Sequence, residues 1–136
     1  MDQFPKKLIQ ANLAVLSKSD DLYGLSFQLN PFILNKELVN SSISFEGLQL
    51  PSSNLKDLVG LKLKFDEEQC QDFNGCFTLD GVHNPVDLHQ IEFIESRSGY
   101  LTVLAKISID FEYEMHDCYE NLVLVINSMV ASVILE

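Results

Sequence analysis

The sequence has no tryptophan, a single arginine (Arg97) and only three cysteines in 136 residues. An odd cysteine count (Cys70, Cys76, Cys118) argues against a disulfide framework. Free thiols are the expectation in a reducing compartment, with a Cys70–Cys76 pairing left open. A long apolar run is also lacking. The most apolar stretch, 122–135, is broken by Asn127, Ser128 and Ser132, and falls short of the roughly 20 apolar residues of a spanning helix. Lys6 and Lys7 precede Leu8 and Ile9, but Gln10 and Asn12 interrupt what would have to be a signal core. A cytoplasmic protein is therefore expected. No glycine-rich phosphate loop, no G-x-S-x-G elbow and no local catalytic-cysteine signature occurs. The chain is thus read as a non-enzyme without cofactor, and its work as binding.

Apolar residues make up 46% of the chain, enough for a buried core and against disorder. With no repeat, no low-complexity tract and only scattered prolines, residues 1–136 read as a single β-rich domain. The charge is unevenly spread. Through Phe65, seven lysines face six acids, whereas from Asp66 onward only Arg97 and Lys106 oppose fourteen acids. A net charge of −11 repels nucleic-acid backbones and anionic membranes, so neither is an expected partner. It attracts basic proteins, although solubility alone is a sufficient use for an acidic surface.

Short periodic runs separated by turn residues suggest an all-β fold. From Tyr100 to Met115 the apolar Ile107, Ile109, Phe111, Tyr113 and Met115 alternate with Ser108, Asp110, Glu112 and Glu114, the pattern of a half-buried antiparallel strand. Val86 to Ile94 reads as its hairpin partner. There Val86 and Leu88 share one register and Ile91 and Phe93 the other, which predicts a bulge near His89-Gln90. Leu61, Leu63 and Phe65 alternate with Lys62 and Lys64 as a short strand. Before it, 52–60 offers a polar cap, one apolar turn and a closing glycine. Ile43 and Phe45, then Leu48 and Leu50, form a strand whose register shifts around Gly47. Leu8–Leu16 and Leu25–Leu29 flank a long turn at Ser17–Asp21, the first of these being a strand or a short helix. Val- and Ile-rich 122–135 lacks clear alternation and reads as a strand buried on both faces. The predicted fold is mainly β: an antiparallel sandwich or open barrel with at most one or two short helices.

Asp110, Glu112 and Glu114 would then stand about 7 Å apart in a row, with Glu92 and Glu95 added from the neighbouring strand. Like charges side by side destabilise a sheet, so such a face is either well solvated or complementary to a cationic partner. Paired carboxylates can also hydrolyse glycosides, but nothing indicates a cleft. Cys70, Cys76, His83 and His89 fall in order with spacings too wide for a structural zinc site. Asp66-Glu67-Glu68 and Asp72 lack the spacing of a calcium loop, so no metal is expected. His83-Asn84-Pro85-Val86-Asp87, following Asp80-Gly81, reads as a corner between strands, with His83 and Asp87 capping its backbone.

The string His83-Asn84-Pro85-Val86-Asp87, then Ile91-Glu92-Phe93 and Asp110-Phe111-Glu112-Tyr113-Glu114, together with 54–60 upstream, resembles small bacterial β-rich immunity proteins of polymorphic and contact-dependent toxin systems. The resemblance covers about residues 43–115. It implies stoichiometric inhibition of a cognate toxin, a basic protein whose nuclease-type active site an acidic face would block. Asp110, Glu112, Glu114, Glu92 and Glu95 are then the interface candidates, with Phe73 and Phe77 as anchors if exposed. The rival readings are a β-barrel holding a small apolar ligand and a hydrolase using paired carboxylates. Oligomeric state is open.

Overall fold

A computed structural model of the chain describes residues 2–70, 73–95, 100–112 and 119–134. It is mainly β, and its strands close into a seven-stranded barrel with two short α-helices. Ten strands are described: β1 (Ala11–Ser19), β2 (Leu22–Leu29), β3 (Phe32–Leu34), β4 (Glu37–Val39), β5 (Ser42–Leu48), β6 (Lys62–Lys64), β7 (Asn74–Leu79), β8 (Val82–Glu95), β9 (Leu101–Ile109) and β10 (Leu122–Ile134). The helices are α1 (Leu55–Leu58) and α2 (Glu67–Cys70), and a 3-10 turn covers Lys6–Leu8. The barrel runs β8-β7-β5-β2-β1-β10-β9 and returns to β8. All its ladders are antiparallel except β1–β10.

The β1–β2 turn is shorter than Ser17–Asp21, because β1 continues to Ser19 and Asp20 takes the left-handed conformation, φ 54°. Gly47 (φ 89°) is the extra residue of a bulge, since Tyr23 pairs with Leu48 and Gly24 with Glu46. That conformation costs glycine nothing, so the register shift around Gly47 is built as expected. The bulge near His89-Gln90 is present too: the β8–β9 register slips between Leu88 and Gln90. Asn54 caps α1 by accepting from the Lys56 amide at 3.1 Å. Asp66 and Gln69 form a reciprocal capping box on α2, at 2.8 and 3.0 Å.

Three expectations are corrected. His83-Asn84-Pro85-Val86-Asp87 is not a corner but the first half of β8; the corner is Asp80-Gly81 alone, with φ 52° and 75°. Asn84 is buried and donates to the carbonyls of Phe77 (3.1 Å) and Val82 (3.3 Å), which holds the β7–β8 hairpin together. β9 stops at Ile109 instead of running to Met115, of which 113–115 lie outside the described residues. β10 is buried on its inner face only. Leu122, Leu124, Ile126 and Val130 face the core, while Val123, Val125 and Met129 are 52%, 61% and 41% exposed. A barrel covers one face of each strand, so no second layer exists to bury the other. The β3–β4 hairpin had no counterpart in the sequence reading.

The interior is filled by side chains, among them Leu16, Leu25, Phe27, Ile43, Phe45, Phe77 and Phe93. One barrel end is plugged by aromatic rings. Phe4 stacks on Phe111 at 5.5 Å and meets Tyr119, Phe32 and Phe77 edge-on at 5.1, 6.1 and 6.2 Å. An Asp2–Tyr119 bridge ties the N-terminal segment across this end.

Two stability predictions follow from this packing. Gly75 faces inward beside Phe45, and a Cβ there would run into the Val86 carbonyl oxygen and lie 2.8 Å from the Phe45 ring. Gly75→Ala should therefore cost about 2 kcal/mol and lower the thermal midpoint by roughly 8 °C, read by circular dichroism. The buried Cys70 thiol donates to the Leu88 carbonyl at 3.2 Å. Burial first, then the Asp87, Asp66 and Glu67 carboxylates, push its pKa above 9.0. The folded chain thus keeps this proton at a pH where the unfolded chain loses it. The stabilisation is complete below about pH 8 and fades as pH rises past about 9 toward the raised value. Between about pH 8 and 10 the urea midpoint of Cys70→Ala should fall less than that of the natural chain; equal slopes would remove the thiol from the account.

Candidate functional site

The five acids singled out by spacing do not share one face. Because β9 ends at Ile109, Asp110 follows it as a loop residue whose amide donates to the Pro85 carbonyl at 2.8 Å. Glu112 is exposed in a turn, and its amide donates to Asn121 Oδ1 at 3.1 Å. Glu114 lies outside the described residues. Val86 pairs with Ile109 at one end of the β8–β9 ladder and Glu95 with Leu101 at the other. At about 3.3 Å per residue, Glu95 is therefore roughly 30 Å along the strand from Asp110. Glu92 lies between them, directly across from Lys62 on β6. Lys64 and Lys106 flank the adjacent Gln90. The middle of this outer face is thus of mixed charge, and Glu92 gains from its opposite neighbour rather than adding to an acidic row.

The fold gathers a different set of acids around the aromatic plug. Phe111 turns inward onto Phe4 and Tyr119, which leaves its neighbours Asp110 and Glu112 on the rim. Asp2 and Glu120 join them, since the Glu120 amide donates to the Asp2 carbonyl at 2.8 Å and Asp2 bridges Tyr119. Asp2, Glu112 and Glu120 are exposed and Asp110 is partly so. On the adjoining outer face Asp87, Ser108 and Val123 stand side by side on β8, β9 and β10. Exposed acids therefore border an exposed apolar strand face, the combination of polar rim and apolar contact that protein interfaces use. Asp2 and Glu120 carry no periodic signal; only closure of the chain across the barrel end brings them to Asp110.

Phe73 and Phe77 are not available as anchors. Phe77 lies wholly inside the barrel, and Phe73 packs on Phe65 at 5.1 Å and on Phe45 at 6.5 Å. Exposed apolar area is offered instead by Val123 and Val125 on β10.

Of the ordered quartet of cysteines and histidines, two meet. Cys76 Sγ lies 3.4 Å from His83 Nδ1, on the outer face of the β7–β8 hairpin. Cys70 is turned inward on Leu88, and His89 Nε2 shares a 2.7 Å hydrogen bond with Ser108 Oγ. Among the described residues no three His, Cys, Asp or Glu side chains converge as a metal would need. Asp66 caps α2, and Glu67 and Glu68 form its first turn, where they favour the helix end.

The surface clefts are open. One of about 490 Å³ is lined by Gln28, Asn40, Ser41, Ser42 and Thr78, and one of about 480 Å³ by Leu22, Gly47, Gln49, Phe65, Gln69 and Phe73; another, of about 400 Å³, runs beside Lys6, Lys7 and Val125. Among the described residues no helix is long and apolar enough to cross a membrane. No family model matches the chain, and no match exists among the curated proteins or the solved structures.

Proposed function

We propose that the chain is a cytoplasmic immunity protein that neutralises a cognate basic toxin domain by stoichiometric binding, covering a nuclease-type active site or its margin. The observation that carries this reading is the gathering of Asp2, Asp110, Glu112 and Glu120 around one barrel end, next to the exposed Val123. Solvated carboxylates on this rim attract a basic surface over about 8–10 Å at physiological salt, which accelerates encounter. Exclusion of water by the β10 valines would then slow dissociation, because apolar contact acts mainly after docking. The chain itself performs no chemistry in this mechanism. A filled barrel interior supports the outer surface, rather than an enclosed ligand chamber, as the binding element.

The test uses the polypeptide encoded beside this chain's gene as the immobilised partner. Charge reversal of Asp110, Glu112 and Glu120 to lysine should reduce the association rate by about tenfold or more at low salt, and the deficit should shrink as salt is raised. Val123→Asp should instead raise the dissociation rate. Association rates indifferent to all three reversals would sink the acidic-rim reading. Lys substitutions at Glu92 and Glu95 serve as controls and should change association less than about twofold, since each lies away from the rim.

A further inference from the structure

The outer face of the β7–β8 hairpin carries a nucleophile with a base held against it. Cys76 and Thr78 sit on alternate positions of β7, so both side chains leave the barrel on the same side. His83 stands opposite Thr78 on β8, and Pro85 opposite Cys76. The imidazole spans the diagonal: its Nδ1 is 3.1 Å from Thr78 Oγ1 and 3.4 Å from Cys76 Sγ, while the hydroxyl and thiol are 3.8 Å apart. Cys76 is only partly buried and His83 is exposed, so a small reagent in solution can reach the pair. The contrast with Cys70 is sharp. That thiol is buried, already committed to the Leu88 carbonyl, and surrounded by carboxylates that oppose its ionisation.

We propose that Cys76 is a thiol-modification site, in which His83 acts as the base and low-molecular-weight disulfides are the reactants. The neutral imidazole accepts the thiol proton at Nδ1, leaving a thiolate that faces two donors, His83 Nδ1–H and the Thr78 hydroxyl. The thiolate attacks one sulfur of the disulfide R–S–S–R. A new bond forms between Cys76 Sγ and that sulfur, and the original sulfur–sulfur bond breaks. The other half departs as a thiolate, which takes up the proton held by His83. Cys76 is oxidised to a mixed disulfide and one equivalent of RSH is the reduced product, so atoms and electrons balance. The Asp80-Gly81 turn fixes the hairpin register, and therefore the diagonal that brings imidazole to thiol.

The experiment uses the full chain carrying Cys118→Ser and the neutral reagent bis(2-hydroxyethyl) disulfide, so that the chain's negative charge does not bias encounter. Modification of each remaining cysteine is followed by intact mass and peptide mapping at pH 7. Cys76 should react at least about tenfold faster than N-acetylcysteine amide under the same conditions, with Cys70 slower than that reference. His83→Gln should slow Cys76 about tenfold without changing the slow rate at Cys70. A Cys76 rate no greater than that of the free reference thiol overturns the proposal, and this comparison needs no variant. An unchanged rate in folded His83→Gln overturns the role of the imidazole.

Discussion

The structure depends on β8 pairing along both of its edges. Its first residues, Val82 to Pro85, pair with β7, Gln90 to Glu92 pair with β6, and β9 runs along it from Val86 to Glu95. This double pairing is what closes the barrel. A strand of fourteen residues that must face the core along its whole length needs an adjustment where its neighbour changes, and the bulge at His89 provides it. Asn84, Val86 and Leu88 point inward before the bulge, Ile91 and Phe93 after it. Without the extra residue the second half would be inverted, with Gln90, Glu92 and Ile94 inside and Phe93 in water. Burying a carboxylate unpaired costs several kcal/mol at least, so the bulge is a requirement of closure. His89 is used on both sides of it: its carbonyl accepts from the Phe65 amide at 2.8 Å and its ring bonds Ser108.

Closure then determines where charge collects. A barrel end must be covered, and here Phe4, Phe111 and Tyr119 cover it. Each buried aromatic contributes about 2–3 kcal/mol, whereas two exposed carboxylates even 4 Å apart repel by only about 1 kcal/mol in water. Ring packing therefore wins, and the acids adjacent in sequence, Asp110 and Glu112, are carried to the rim along with Asp2 and Glu120. Their clustering is a by-product of hydrophobic packing that solvent tolerates and a cationic partner would relieve. The even spacing of Asp110, Glu112 and Glu114 suggested that a strand makes the acidic surface; the aromatic plug makes it instead.

Local features were legible in the sequence where one element decides them. Alternation located β6, β9 and the second half of β8, while the register slips at Gly47 and His89 and a polar cap before α1 announced themselves through residue type. Features decided by distant contacts were not. Phe111 continues the inward period of Ile107 and Ile109, yet it is drawn out of the strand by Phe4, more than a hundred positions away. Val123, Val125 and Met129 on the outward face of β10 are apolar while the inward Ser128 is polar, so its alternation is invisible in hydropathy although the barrel enforces it. Asn84-Pro85 resembles a chain break, but Asn84 satisfies two hairpin carbonyls and the Pro85 carbonyl still bonds Asp110. The β3–β4 hairpin turns on Asn35 and Lys36, at φ 51° and 69°; Asn35 was the available signal, while lysine seldom marks a left-handed turn.

A closed barrel also restricts how a partner can be held. Adding a strand from another protein needs a free edge, and closure removes those of the seven barrel strands. Among the described strands, β6 has a neighbour on one side only, but it is three residues long and two of them are lysines, which discourages edge pairing. The β3–β4 pair is equally short. Recognition by main-chain hydrogen bonding is therefore poorly served, and specificity must come from side chains on the barrel end and outer face. Charge placement around Phe111 and the exposed face of β10 are then the two variables a partner can read. In the proposed inhibitor they would act at different stages: the rim on encounter, the valines on persistence. Separate control of the two rates fits that proposal, since a stoichiometric inhibitor must find its target before damage begins and remain bound afterwards.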